Sequence, residues 1–257
     1  MAQQALPVRE ARLGRPLGTT GAEKTVTGVA LLLPEGGPTG VRRPSPIPAL
    51  AARPLAVRLA KAGRPEGLAA HVLHYRCRGW NGSAAHPARD ATWALDEVVR
   101  RYGDVPVCLV GTGMGGRAAL HAAGHPAVNS VLALAPWLPG PGPEPQEPEP
   151  EPVKQLIGRK VLLVHGTNDE RNDPDLSYRY AQRAKKVNRD TCRFEVHSDG
   201  HWMHQHRAEV MALATDFLLG SLFARDYARP VRDALAAPPP LGLRMPLASG
   251  FGASLRP

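Results

Sequence analysis

The chain has 257 residues, 43% of them hydrophobic, and a formal net charge of +9. That length supports one large domain or two small ones, with room for a substantial core. No apolar run approaches the ~20 residues of a membrane span, and aromatics at 5% leave few stacking platforms for nucleic acid. Membrane and nucleic-acid roles are therefore set aside, and the basic charge is read as a solvated surface.

The opening segment, residues 1–24, has no apolar core and carries an acid, so it reads as neither a secretory signal nor an anchor. Cys77, Cys108 and Cys192 are far apart and form no C-x-x-C pair, which predicts reduced thiols in a cytoplasm. TVTGVALLLPEGG, Thr25 to Gly37, reads as a buried strand feeding a loop. ALAARPLAVRLAKAG, Ala49 to Gly63, has helical spacing through Leu50, Leu55 and Leu59. LAAHVLHYR is the next strand. RDATWALDEVVRRYG, Arg89 to Gly103, is a helix with Trp93, Leu95, Val98 and Val99 as its expected apolar side. VPVCLV (strand), GRAALHAAG (helix) and SVLALAP (strand) follow. Lys160 to Gly166 then reads as a strand, Leu176 to Val187 as a helix, Cys192 to His197 as a strand and His206 to Phe223 as the closing helix. Strands apolar throughout that alternate with helices predict an α/β domain, a mostly parallel sheet covered on both faces.

Two segments break this rhythm. Pro139 to Pro152 alternates Pro and Glu, which predicts an extended acidic surface loop. The Pro/Gly-rich tail, residues 224–257, is expected either to drape over the core or to stay mobile. The expected organisation is thus an N-terminal segment at 1–24, a core at 25–223 and a tail at 224–257.

The run VCLVGTGMGGRAAL carries the chemistry, and it reads two ways. Gly111, Gly113 and Gly116 spell G-x-G-x-x-G, a phosphate cradle at a helix start. That motif needs an acid at the end of the next strand to hold a ribose; Ala135-Pro136-Trp137 stands there instead, so no dinucleotide cofactor is expected. The second reading is G-x-nucleophile-x-G, a sharp strand-to-helix elbow. It requires an acid after a later strand and then a histidine after the last. Asp169 in HGTNDE and His201 in SDGH meet both requirements, in that order.

With GTGMGG, HGTND and DGH together, the sequence resembles the α/β-hydrolase superfamily over roughly Thr25 to Phe223, in its lidless form similar to small esterases and dienelactone hydrolases. The resemblance implies His201 as general base and Asp169 as the group that orients it. It implies the Met114 N–H as one oxyanion donor, with Gly36, or next Glu35, supplying the second. Glu35 and Trp80 are expected on the substrate side. The departure is Gly113, which leaves the nucleophile position without a side chain. Neither neighbouring Thr112 nor Cys108, in its strand, is expected to replace it.

Other candidates are weaker. His121 and His125 lie four apart on a helix, but with no nearby acid or third ligand expected they read as surface histidines, and no metal is expected. Trp80 and Asn81 are divided evenly between substrate contact and loop packing. His165 is read as support for the acid turn; Asp173 is the rival to Asp169 for the acid role, but the strand-end position favours Asp169 and leaves Asp173 to cap the following loop. Two functions remain open: an enzyme without the usual nucleophile, in which His201 and Asp169 activate water or a substrate proton for hydrolysis of small ester-like molecules or for lyase chemistry, or a silent relative that binds a small ligand or a protein in the old pocket.

Overall fold

The computed structural model describes residues 10–18, 25–140 and 151–253. Most of the Pro/Glu segment, 141–150, lies outside them. Six apolar strands form the parallel centre of one sheet: β3 (Gly28–Leu33), β4 (Leu68–His74), β5 (Val107–Thr112), β6 (Val128–Leu134), β7 (Lys160–Gly166) and β8 (Thr191–Val196). Two short N-terminal strands, β1 (Arg12–Leu13) and β2 (Leu17–Gly18), pair antiparallel with β4. At the other edge β9 (Met245–Pro246) pairs parallel with β8. The order is β1-β4-β3-β5-β6-β7-β8-β9, with β2 also on β4. Each of the six central strands carries buried side chains in both directions, so each is covered twice. Val29, Leu31 and Leu33 enter one core layer, Ala30 and Leu32 the other.

Helices α2 (His86–Tyr102), α3 (Met114–Ala122) and α4 (Pro174–Val187) cover the first face, while α1 (Ile47–Gly63), α5 (Arg207–Phe223) and α6 (Arg229–Ala236) cover the second. Two expected helix faces are corrected. In α1 the buried side is Ala56, Leu59, Ala60 and Gly63, and Leu50 is 60% exposed. In α2 it is Pro87, Asp90, Ala91, Ala94, Leu95 and Val98, with Trp93 and Val99 turned outward. Alanines beside Leu59 in α1 and beside Leu95 and Val98 in α2 let both helices lie close to the sheet, while Leu50, Trp93 and Val99 fall outside the contact. The tail, for which a loose arrangement was one expectation, supplies α6 and β9 and buries Val231, Ala234, Leu243 and Leu247.

The glycines of GTGMGG are explained by space. A Cβ on Gly111 would run into the Gly115 carbonyl, and one on Gly115 into the Leu33 carbonyl. The start of α3 is thus pressed onto β5 and β3 with no room for a side chain between them. Here the glycine spacing serves helix-to-strand packing, and the phosphate reading loses its main support.

Candidate functional site

The carboxyl ends of β3, β5, β7 and β8 converge, and each delivers one part of the site. At the β5 end, Gly113 has φ 53° and ψ −117°, a backbone state that L-residues rarely adopt. The elbow's backbone geometry is therefore retained, and glycine adopts it without strain. The turn is held by Gly113 N–H donating to the Leu134 carbonyl at 2.9 Å and Trp137 N–H donating to the Gly113 carbonyl at 3.0 Å.

Asp169 follows β7 in a tight turn, its side chain fully buried. Its Oδ1 accepts the backbone N–H groups of Arg171 at 2.9 Å and Asn172 at 3.0 Å. Its Oδ2 lies 2.8 Å from Nδ1 of His201 and 3.1 Å from Nε2 of His165. Burial works against the carboxylate, but these four donors outweigh it and hold the Asp169 pKa far below the usual carboxylate range. His165 Nε2 also faces the Asn172 carbonyl at 3.0 Å. Both of its neighbours are acceptors, so His165 carries its proton on Nε2 and braces the acid turn. Asn172 anchors that turn through Nδ2 to the Ala135 carbonyl at 2.8 Å. Asp173 caps α4, its Oδ1 accepting Asp175 N–H at 2.8 Å.

His201 sits in the loop after β8. That loop is organised by the buried Asp199, which accepts Gly200 N–H and His206 N–H, each at 3.0 Å. With Nδ1 held by Asp169, the other ring nitrogen points toward the elbow.

There it meets Glu35. This residue follows β3, and its Oε2 lies 3.2 Å from His201 Nε2. Its Oε1 accepts the Met114 backbone N–H at 3.4 Å, a long bond. A Cβ placed on Gly113 would collide with both carboxylate oxygens and with Cδ of Glu35. The carboxylate thus fills the space that an elbow side chain would occupy. It faces the N-terminus of α3, where the helix dipole favours negative charge. His201 stands between two carboxylates. Burial disfavours its charged form, yet the Glu35 and Asp169 bonds prevail, and its pKa lies above the ordinary histidine value.

Of the residues expected from sequence, the structure brings together Asp169, His201, Gly113, Met114 and Glu35. Gly36 lies beside them, its backbone against the Met114 side chain. Trp80 is placed elsewhere: it is buried, with the Arg117 guanidinium 4.0 Å over its ring and His121 edge-on at 5.0 Å, and it does not line the cavities beside Glu35. Asn81 ties loops together, accepting Gly40 N–H at 2.8 Å. His121 and His125 do have acidic neighbours, contrary to the sequence reading, but separate ones: Glu151, which also pairs Arg117, and Asp96. Among the described residues no group of His, Cys, Asp and Glu is arranged to hold a metal. Cys108 is buried in β5, which pushes its thiol up to about 12.

Two cavities meet at Glu35. One, about 310 Å³, runs between α1 and α5 over Thr112 and His201, with walls that include Ala51, Ala52, Leu55, Val210 and Met211. Thr112 thus reaches the cavity, which the sequence reading of the turn did not anticipate. The other, about 630 Å³, is lined by Arg12, Arg43, Arg76 and His74. Burial and the charges of Arg12 and Arg43 lower the His74 pKa.

A mostly parallel sheet of this strand order, flanked by helices on both faces, has counterparts among solved structures. The chain is similar to a serine hydrolase without a lid from Xanthomonas campestris (16% identity, TM-score 0.57, covering 86% of this chain and 93% of that one). It is similar to an esterase from Pyrococcus furiosus (15% identity, TM-score 0.59, covering 77% and 83%). A Klebsiella pneumoniae chain named as a dienelactone hydrolase is also similar (18% identity, TM-score 0.55, covering 84% and 99%). This is the α/β-hydrolase fold. By sequence, no family model and no curated protein matches the chain. The α/β-hydrolase sheet here is open and mostly parallel, flanked by helices on both faces. No helix among the described residues is long and apolar enough to cross a membrane.

Proposed function

We propose that this chain is a hydrolase of small carboxylic-ester-like molecules in which His201, oriented by Asp169, activates water. One observation carries the reading: Asp169 is bonded to His201 Nδ1 at 2.8 Å, which leaves Nε2 directed at the elbow. A buried histidine held at Nδ1 by a fully bonded carboxylate is a positioned acid–base group, which takes a proton from water once its Nε2 is unprotonated. The Met114 N–H at the start of α3 supplies an oxyanion donor, with Gly36 proposed for the second. The apolar cavity receives the hydrocarbon part of the substrate. No metal or cofactor enters the scheme. The working partner is a small molecule, in a reducing cytoplasmic setting, without nucleic acid or membrane.

A second reading is favoured by the Glu35 carboxylate, which fills the elbow space and occupies the Met114 N–H. On that reading the protein binds a ligand and turns nothing over. Hydrolysis of p-nitrophenyl acetate and butyrate by the natural chain and by His201→Ala decides between them. Turnover that falls at least about a hundredfold in the variant supports the hydrolase. Equal background rates leave the binding role.

A further inference from the structure

The elbow lacks a nucleophile, but the space above it does not. We propose that Glu35 is the nucleophile of this site: a carboxylate delivered by the loop after β3 in place of a side chain on the β5 elbow. The inference rests on the hydrolase reading above and specifies its covalent step.

Three contacts place the Glu35 carboxylate for that role. Its oxygens lie where a side chain on Gly113 would begin. Oε2 faces His201 Nε2 at 3.2 Å, and Oε1 faces the Met114 N–H at 3.4 Å. Glycine at position 113 is then required, because any Cβ would displace the carboxylate. The same residue borders both cavities, so a substrate lying across them passes over it.

The chemistry balances without a further reagent. Oε2 adds to the ester carbonyl carbon, and the carbonyl pair moves onto its oxygen. Collapse breaks the bond to the alcohol oxygen, and the departing alkoxide takes the proton from His201 Nε2. This leaves an alcohol, a neutral His201 and a mixed anhydride between the acyl group and Glu35. Water then gives a proton to His201 Nε2 and adds to Cδ of Glu35, whose Oε1 is already beside the Met114 N–H that stabilises the oxyanion. Breaking the Cδ–Oε2 bond releases the acid, and Glu35 returns to carboxylate by losing one proton to solvent. In sum, ester and water become carboxylate, alcohol and a proton. Covalent catalysis of this kind divides one difficult displacement into two easier ones.

The route writes its signature into the protein. In heavy-oxygen water, the first turnover leaves the new oxygen in Glu35, and the released acid carries the old Oε2. The test is a single turnover of p-nitrophenyl butyrate by excess natural chain in heavy-oxygen water, followed by peptide mass spectrometry of the Glu35 segment and of the butyrate. Hydroxylamine added during steady turnover should also convert Glu35 to its hydroxamate. Heavy oxygen in the Glu35 peptide with unlabelled butyrate is the expected result. Turnover with all the label in butyrate overturns the nucleophile assignment and leaves the hydrolase standing with water attacking directly. No turnover of any ester, and no hydroxamate, overturns the hydrolase reading and this inference with it. All three outcomes use the natural chain, so none depends on a variant folding.

Discussion

Glu35 and Gly113 compete for one space: the carboxylate of the first lies where a side chain on the second would start. Installing a serine at the elbow is therefore not a simple restoration. Gly113→Ser must push Glu35 aside and must hold a non-glycine residue at φ 53°, a strain of about 1–3 kcal/mol. The single variant is expected to unfold at a lower temperature and to show little esterase activity. Glu35→Ala with Gly113→Ser clears the space and leaves the Met114 N–H and the Asp169–His201 pair in place. The double variant should outperform the single one on p-nitrophenyl butyrate by at least about tenfold, with an acyl-enzyme burst. Equal rates would mean that Glu35 does not obstruct the elbow.

The same contact sets the protonation of His201. Its pKa is raised because the Glu35 and Asp169 bonds favour the imidazolium more than burial opposes it. Glu35→Gln removes one negative charge, so the His201 pKa must fall. An NMR titration of the imidazole should show the midpoint moving to lower pH. The stability sign follows. A raised folded pKa contributes stability that is fully present below the ordinary histidine pKa and lost as pH rises through the folded value. The natural chain should therefore lose more stability across that window than Glu35→Gln. An unmoved midpoint would remove Glu35 from His201's environment.

Asp169 has the opposite sign. Its pKa is depressed by His165, the Asn172 and Arg171 N–H groups and His201, despite burial. The stabilisation is present above the ordinary aspartate pKa and is lost as pH falls toward the folded value. Asp169→Asn leaves two histidines and two backbone donors facing a weaker acceptor. It should cost at least about 2 kcal/mol at neutral pH, with the deficit shrinking in acid, and esterase activity should fall by about 10³-fold or more. Urea unfolding of both proteins between neutral and acid pH measures the first effect. A deficit independent of pH would contradict it.

Much of this is legible in the sequence. The apolar runs from Leu31 to Val196 mark the parallel strands, because a strand covered on both faces cannot alternate polar residues. Asp169 and His201 declare themselves by following consecutive strands. Glu35 is legible as a substrate-side residue and as the candidate after Gly36 for the second oxyanion donor, but not as the carboxylate that fills the elbow: its partners, Gly113, Met114 and His201, come from distant strand ends, and no local pattern records their meeting. A lone acid immediately after an apolar strand, in a chain whose elbow lacks a nucleophile, is the signal for that role. The short β9 was hidden for a different reason. Met245 and Pro246 join the sheet through backbone registered on Phe194 and Glu195, and backbone pairing leaves no mark on composition. Leu50 and Trp93 misled because small residues, Ala56 and Ala60 in α1 and Ala91 and Ala94 in α2, set the buried faces.

The packing account of the GTGMGG glycines is open to test. A methyl on Gly115 meets the Leu33 carbonyl, which is backbone in the central sheet and cannot swing away. Gly115→Ala should destabilise by about 3 kcal/mol or more, at the upper end of overpacking costs, read as a lower denaturant midpoint. If these glycines instead cradled phosphate, the natural chain would bind NADH saturably in a fluorescence titration. The expected titration is flat.

The apolar cavity should set chain-length preference. Ala52 and Met211 line it between α1 and α5, and Glu35 and His201 stand at its reacting end. An acyl chain entering there exchanges water for apolar walls at ~0.8 kcal/mol per methylene, which amounts to about fourfold in kcat/KM for each added carbon until the cavity is full. Ala52→Phe fills that volume without touching the carboxylate or the imidazole. It should leave p-nitrophenyl acetate turnover close to that of the natural chain and flatten the rise from acetate through butyrate to hexanoate. If the rise persists unchanged in Ala52→Phe, the acyl chain lies elsewhere, and the cavity lined by Arg12 and Arg43 becomes its place.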